Sequence, residues 1–178
     1  MKKITLPALL PCALYILLSM ALLAAALLNT GGQIGYPVDD AFIHMAIARH
    51  FVQDGRWSVD LSPFTSATSS PLWTLLLAAT FRLFGVRDWV ALLLSLLSGA
   101  AALLLAQRLL AKTGRRMIRL TFVVLILIFT PLPVMGLTGM EHALHSLLTI
   151  AVLWSGSLVM AEKSPSSTRR WGLARFRL

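Results

Sequence analysis

Two adjacent carboxylates, Asp39 and Asp40, are the side chains of this sequence best suited to acid–base chemistry. They begin a stretch that predicts a helix, where negative charge favours the helix dipole and where a carboxylate often serves only as a cap. His44 follows Asp40 by four residues and therefore lies on the same helical face. A carboxylate in this position can act as a general base toward a bound substrate or help to hold a divalent cation. The spacing leaves all three uses open.

Glu141 and His145, further along the chain, form a second ionisable pair. The two residues are about one helical turn apart. An ionisable residue at a membrane boundary costs less than one at mid-bilayer, so its position alone does not assign a function. The pair can contact a substrate or a metal, although a hydrogen bond between helices is the more common use. The single cysteine, Cys12, excludes an internal disulfide framework and a cysteine-cluster metal site.

The segments that must position these residues are strongly apolar. Of the 178 residues, 57% are hydrophobic and 13% are charged, and the mean hydropathy is +0.79. A soluble domain carries about 25% charged residues, so the composition excludes an ordinary soluble protein. The sequence instead predicts an all-α polytopic membrane protein, with about four transmembrane helices in a membrane region of residues 1–161 and a basic tail over 162–178.

The predicted spans are the stretches of about 20 apolar residues that can cross a bilayer as helices. They lie at about 6–28, 89–111, 120–137 and 143–161. The first is too long for a cleaved signal peptide and indicates a signal anchor. Pro131 and Pro133 are expected to kink or break the end of the third span.

A loop over 29–88 separates the first two spans and predicts juxtamembrane helices at about 40–54 and 71–84. Gly55 is the expected stop of the first helix, and an apolar stripe would let that helix lie along the membrane surface; the stripe consists of Ala41, Met45, Ala48 and Val52. The second helix is too short to cross a bilayer. The hydroxyl-rich stretch before it predicts a polar turn in which Ser69 or Ser70 caps the helix.

The net charge of +9 is distributed unevenly along the chain. The N-terminus, the turn after the second span and the C-terminal tail together carry +11, whereas the 29–88 loop and Glu141 carry −2. Basic segments remain on the cytoplasmic side, which places both termini in the cytoplasm and the loop outside. The excess of positive charge therefore indicates how the chain is oriented in a plasma membrane, rather than binding to nucleic acid.

The order of several short motifs resembles the polytopic GT-C glycosyltransferases, the group of protein mannosyltransferases, aminoarabinose transferases and arabinofuranosyltransferases. The resemblance covers most of residues 1–160, and its motifs are Asp39-Asp40-Ala41-Phe42-Ile43, Ala48-Arg49, Thr68-Ser69-Ser70-Pro71-Leu72-Trp73, Phe84-Gly85-Val86 and Thr138-Gly139-Met140-Glu141. His142 stands where the family usually has threonine after the last motif. It is the order and the topology, rather than any one motif, that carry the resemblance.

This resemblance implies transfer of a sugar from a polyprenyl-phosphate donor to a glycan, lipid or protein acceptor on the outer face of a bacterial inner membrane. The family's catalytic acid falls on Asp39, with Asp40 as its neighbour, and Glu141 would be a carboxylate of a second site. Candidates to bind the leaving phosphate are His44, Arg49 and His50. Arg49 can equally extend toward lipid headgroups, and either histidine can be an ordinary surface residue. No metal ligand set is expected, although a divalent cation is compatible with the chemistry.

Members of this family are longer than 178 residues. The sequence is therefore expected to be the N-terminal part of such an enzyme, or a half that is completed by a separately encoded C-terminal half. The alternative from another class is a non-catalytic membrane protein, either a remnant or an assembly subunit. A small transporter is disfavoured because the spans contain almost no polar residues that would line a path through the membrane.

Overall fold

A computed structural model describes residues 6–110 and 116–163, and over these ranges the chain is helical, without β-strands. Seven helices follow one another: α1 Leu6–Asn29, α2 Asp39–Asp54, α3 Pro71–Phe84, α4 Trp89–Leu110, α5 Arg116–Phe129, α6 Leu132–Leu137 and α7 His142–Lys163. Among the described residues, three segments are long and apolar enough to cross a membrane: Leu10–Asn29, Trp89–Leu110 and His142–Met160. The prediction of an all-helical protein with membrane-spanning character is confirmed at this level. Most of the basic tail expected over 162–178 lies outside the described residues.

The stretch expected to form the third span, 120–137, is not one continuous helix. α5 ends at Phe129, and α6 begins at Leu132 after a break that contains Pro131. Proline has no backbone N–H and its ring clashes with the preceding turn, so a helix cannot continue unchanged through Pro131. Pro133 is tolerated because it falls in the first turn of α6. The expected break is therefore real, and it leaves an apolar helix, Leu120–Phe129, that is shorter than a membrane span.

α1 and α4 run antiparallel. Gln107 near the end of α4 donates through Nε2 to Sγ of Cys12 in the first half of α1, at 3.6 Å. At the opposite end, Leu22 and Leu92 line the same cavity. α4 also packs on α6 and α7, so it is the central helix of the bundle.

Tyr15 fills the space where α1, α4 and α6 come together. Its side chain is 1% exposed, and its hydroxyl donates to the carbonyl of Leu96 at 3.3 Å. The ring lies directly against two glycines of the neighbouring helices, Gly99 and Gly136. A Cβ atom at Gly136 would lie 2.7 Å from the Tyr15 oxygen, so the absence of a side chain there lets the helices approach.

α2 and α3 form a helical hairpin that packs through a buried apolar core. Three residues of the predicted stripe, Ala41, Met45 and Ala48, are buried in a cluster with α3, and the fourth, Val52, is partly buried against it; the α3 members are Trp73, Leu77 and Phe81. The expectation that this stripe faces the membrane is therefore wrong, because α3 covers it. α2 ends as predicted at Gly55, which adopts the left-handed conformation (φ 69°) that favours glycine.

A methyl group at Gly99 tests the close packing around Tyr15. Gly99→Ala should lower the free energy of unfolding by about 1–3 kcal/mol, because overpacking forces a well-packed core apart. Tyr15→Phe in the same protein should recover part of the loss, because it removes the oxygen that the new methyl group meets. Thermal unfolding in detergent micelles measures both effects.

Gly156→Ala is the matched control for this prediction, because no atom lies within 4 Å of a Cβ built at that position. It should leave stability unchanged or slightly raise it, since alanine favours a helix more than glycine does. Equal losses at Gly99 and Gly156 would contradict the packing described around Tyr15.

Candidate functional site

The polar groups of the α2–α3 hairpin gather around His44, whose side chain is 1% exposed. Its Nδ1 lies 2.9 Å from the hydroxyl of Thr74 on α3 and 2.9 Å from the hydroxyl of Thr68 in the preceding loop. The two hydroxyls are themselves 2.9 Å apart. Because burying a polar side chain without partners is costly, these contacts explain how a histidine is accommodated in an otherwise apolar interface.

Glu141 approaches His44 from the turn that precedes α7. Its side chain is buried, and Oε2 lies 3.7 Å from Nε2 of His44. That oxygen has no hydrogen-bond partner among the described residues. His44 and Glu141 are 97 positions apart in the sequence and meet at one end of the helix bundle. Their contact joins the hairpin to the turn before α7.

The electrostatics around His44 favour its neutral form. Burial lowers the pKa of His44 below its usual 6.5, and this effect outweighs the opposing attraction of Glu141 and Asp40. A neutral imidazole has one N–H donor and one acceptor nitrogen. Near neutral pH, the ring therefore donates on one side and accepts on the other.

Asp39 and Asp40 both lie in the first turn of α2 and are exposed. The cap position is occupied by Val38, and no side chain makes a capping hydrogen bond at this end of the helix. The capping interpretation of the acidic pair is therefore not supported. Asp40 is close enough to His44 to affect its pKa, so one member of the exposed acidic pair lies beside the buried polar cluster.

Tyr36 anchors the segment that leads into the acidic turn. Its hydroxyl donates to the carbonyl of Asp88 and accepts from the N–H of Leu92 at 3.1 Å, which ties this segment to the start of α4. Burial raises the pKa of Tyr36 to about 12 and keeps it in the donating phenol form. The ring also contacts Gly139, just before Glu141, where the φ of 69° favours glycine.

The other predicted binding residues differ in exposure and in the groups that they contact. Arg49 is exposed and lines a groove of about 260 Å³ with Asp88, on the side of α2 that faces the turn between α3 and α4. His50 is half-buried, and its Nδ1 lies 2.9 Å from the carbonyl of Ser58, a contact that holds the loop after α2. His145 is exposed, whereas Glu141 one turn before it is buried.

Sequence reasoning missed the role of the hydroxyl-rich loop. Ser70 occupies the cap position of α3 without a side-chain capping bond, so the predicted capping function is wrong. Thr68 instead accepts from the N–H of Ser70 at 3.2 Å and contacts His44. The sequence would have indicated this role of the loop only if His44 had been predicted to be buried and to face the threonines and serines.

Within residues 6–110 and 116–163, no group of three or more histidine, cysteine or carboxylate side chains is arranged to hold a metal ion. Asp40, His44 and Glu141 are neighbours, but they do not form such a set. The side chains described here thus do not fit a cation held by the protein alone.

Two apolar cavities lie among the bundle helices. One, of about 480 Å³, is bounded by the end of α1, the 30–37 segment and parts of α4 and α6, and Pro37 at its edge lies two residues before Asp39. The other, of about 460 Å³, lies beside the break at Pro131, between α4, α5, α6 and α7. The first cavity thus brings an apolar surface to within a few residues of the acidic turn.

Fold and site together define a helical protein of membrane-spanning character with a polar cluster at one end of its bundle. Comparison with models of protein families, with curated proteins and with solved structures finds no match.

The neutral state of His44 predicts that the α2–α3 hairpin loosens in acid. Folding lowers the pKa of His44, so below about pH 6.5 the unfolded chain binds more protons than the folded chain does. The stability present above that pH is therefore lost as the pH falls through the pKa of the folded state. Amide hydrogen exchange in α2, corrected for intrinsic rates, should show a smaller opening free energy at pH 5 than at pH 7.

In His44→Gln, which is neutral at both pH values, the difference between pH 5 and pH 7 should shrink. Amides in the middle of α4 serve as the internal reference, because they lie away from the polar cluster. An unchanged pH difference in His44→Gln would show that His44 is not its source.

Proposed function

We propose that this chain is the catalytic N-terminal region of a membrane glycosyltransferase of the GT-C type. It transfers a sugar from a polyprenyl-phosphate donor to an acceptor hydroxyl on the extracytoplasmic face of a bacterial inner membrane. The observation that carries the proposal is the exposed pair Asp39–Asp40, which is held between two anchored contacts at one end of the bundle. Those contacts are Tyr36 with the start of α4 and His44 with Glu141.

The reaction needs a base because a sugar or protein hydroxyl is a weak nucleophile. Asp39 takes the hydroxyl proton as the acceptor oxygen bonds to the anomeric carbon of the donor. The bond from that carbon to the phosphate oxygen breaks, and its electron pair leaves with the polyprenyl phosphate. Because both carboxylates are exposed, an acceptor can reach them without displacing a packed side chain.

The leaving phosphate gains negative charge, so a nearby cation lowers the barrier. Of the three predicted cationic candidates, Arg49 is exposed, whereas His44 and His50 are engaged in contacts inside the protein. Arg49 is thus the candidate that can meet a phosphate without rearrangement. The cavity of about 480 Å³ beside Pro37 is apolar and has a volume suited to part of a polyprenyl tail.

The proposed topology has four crossings, with both termini in the cytoplasm. α1, α4 and α7 supply three of them, and α5 with α6 supplies the fourth as a broken helix. A break within the membrane is tolerated where the freed backbone groups line a cavity or face other helices, and the second cavity lies at the break. The distribution of basic residues supports this orientation.

The base is tested by transfer from a labelled polyprenyl-phosphate sugar in membrane vesicles that contain the chain. Asp39→Asn should lower transfer by about 100-fold or more, because an amide cannot take the proton. Asp40→Asn should have a smaller effect. Asp54→Asn is the matched control, since it places the same substitution at the opposite end of α2.

Transfer that survives both Asp39→Asn and Asp40→Asn would contradict the proposed base. Absence of transfer by the parent chain would favour either a fragment that needs the rest of the enzyme or the alternative, a non-catalytic remnant.

Topology is tested separately by labelling single cysteines from outside intact cells. With buried Cys12 replaced by alanine, a membrane-impermeant thiol reagent should label Ser66→Cys but not Arg115→Cys. Labelling of both positions, or of neither until the cells are lysed, would contradict the four-crossing arrangement.

A further inference from the structure

The hydrogen bonds on the α3 side of His44 can be ordered by their obligate donors. The N–H of Ser70 can only donate, so the Thr68 hydroxyl oxygen accepts from it at 3.2 Å. The carbonyl of Ser70 can only accept, and the Thr74 hydroxyl donates to it at 3.2 Å. The proton of Thr68 is then free to point to Nδ1 of His44, 2.9 Å away.

The opposite side of the ring faces an obligate acceptor. An ionised carboxylate only accepts, and Oε2 of Glu141 has no other partner among the described residues. If Thr68 donates to Nδ1, the ring proton of neutral His44 lies on Nε2 and points toward Oε2, 3.7 Å away. The other tautomer would place the lone pair of Nε2 opposite a buried carboxylate oxygen. The hydroxyl of Ser69, 3.4 Å from Nε2, can accept from the same N–H. The Nε2–H tautomer therefore matches Thr68 on one side of the ring and both Ser69 and Glu141 on the other.

We propose that His44 is held as the neutral Nε2–H tautomer and links α2 to Glu141, and that Glu141 acts through this link as a positioning residue for Asp39 and Asp40. The catalytic consequence rests on the proposed function, whereas the tautomer and the link do not. The charged groups that face His44 are Asp40 on its own helix and Glu141 before α7. α3 and the loop before it contribute the hydroxyls of Thr74, Thr68 and Ser69.

The link acts on the acidic turn because α2 is a short, rigid element. Asp40 and His44 are one helical turn apart, so a rotation of α2 that moves His44 away from Glu141 also moves the carboxylates. Tyr36 anchors the chain on the other side of the acidic pair, through the backbone of Asp88 and Leu92. With both contacts made, the first turn of α2 is fixed at two points.

The tautomer is tested directly by NMR of the ring nitrogens in protein labelled with ¹⁵N-histidine, in nanodiscs at pH 7.5. The His44 signals are the ones lost in His44→Gln, and they should have the pattern of an Nε2–H ring. Replacing Thr68 and Thr74 together by valine should convert part of the signal to the Nδ1–H form. Replacing both by serine keeps the donors and should preserve the pattern. An Nδ1–H or doubly protonated ring in the unmodified protein would overturn the proposal.

The positioning role is tested by comparing Glu141→Leu with Glu141→Gln in the transfer assay. Leucine removes the acceptor and should lower kcat by about tenfold or more with little change in KM, whereas the glutamine oxygen still accepts from Nε2–H and should restore most of kcat. Equal loss in both variants would mean that Glu141 acts through its charge on the substrate, which overturns the positioning role. If the parent shows no transfer but the Nε2–H pattern is present, the result counts against transfer by this chain alone, and the structural link stands.

Discussion

The buried contact between His44 and Glu141 is the constraint on which the arrangement of this protein depends. Taking a carboxylate out of water is costly unless a donor faces it, and Oε2 of Glu141 has His44 Nε2 as its nearest counterpart, at 3.7 Å. Thr68 and Thr74 contact Nδ1 of His44, so its Nε2 is the nitrogen that faces Glu141. The position of α2, the course of the loop before α3 and the turn before α7 are therefore linked through one imidazole ring.

Tyr36 has a complementary role on the other side of the acidic turn. Where His44 links α2 to the turn before α7, Tyr36 links the preceding segment to the start of α4 through backbone groups. Its ring also occupies the space left by Gly139, two residues before Glu141. The same short turn thus receives Tyr36 and His44, and a change in that turn would reach both ends of the segment that carries Asp39 and Asp40.

The helices were largely predictable because their signals are local. Apolar length, the proline at Pro71 and the glycine at Gly55 indicate helix positions through backbone chemistry that needs no tertiary contact. The break at Pro131 follows from the same local rule. By contrast, the burial of the α2 stripe depends on α3 packing against it, and an apolar stripe looks the same whether a membrane or another helix covers it.

The polar cluster was less predictable, for a related reason. His44 and Glu141 could be identified as candidates from their types, but their contact spans 97 positions and depends on how α7 meets the hairpin. Thr68 lies in the hydroxyl-rich stretch that predicted a polar turn and a helix cap, because hydroxyl groups near a helix start usually serve there. Their use by a buried histidine could be inferred only once the histidine was known to be buried.

The separation of buried and exposed carboxylates fits the demands of the proposed reaction. A base must meet an acceptor that arrives from water, so Asp39 and Asp40 need to be accessible. A residue that fixes their position works best where water cannot compete for its hydrogen bonds. Glu141 is buried, as a positioning residue should be, and Asp39 and Asp40 are exposed, as a base should be. The apolar cavity that reaches Pro37 adds the third element, because a lipid-linked donor has to approach the same turn from the membrane side. In the proposed reaction, an acidic turn placed where these two approaches meet would let one short helix serve reactants of opposite solubility.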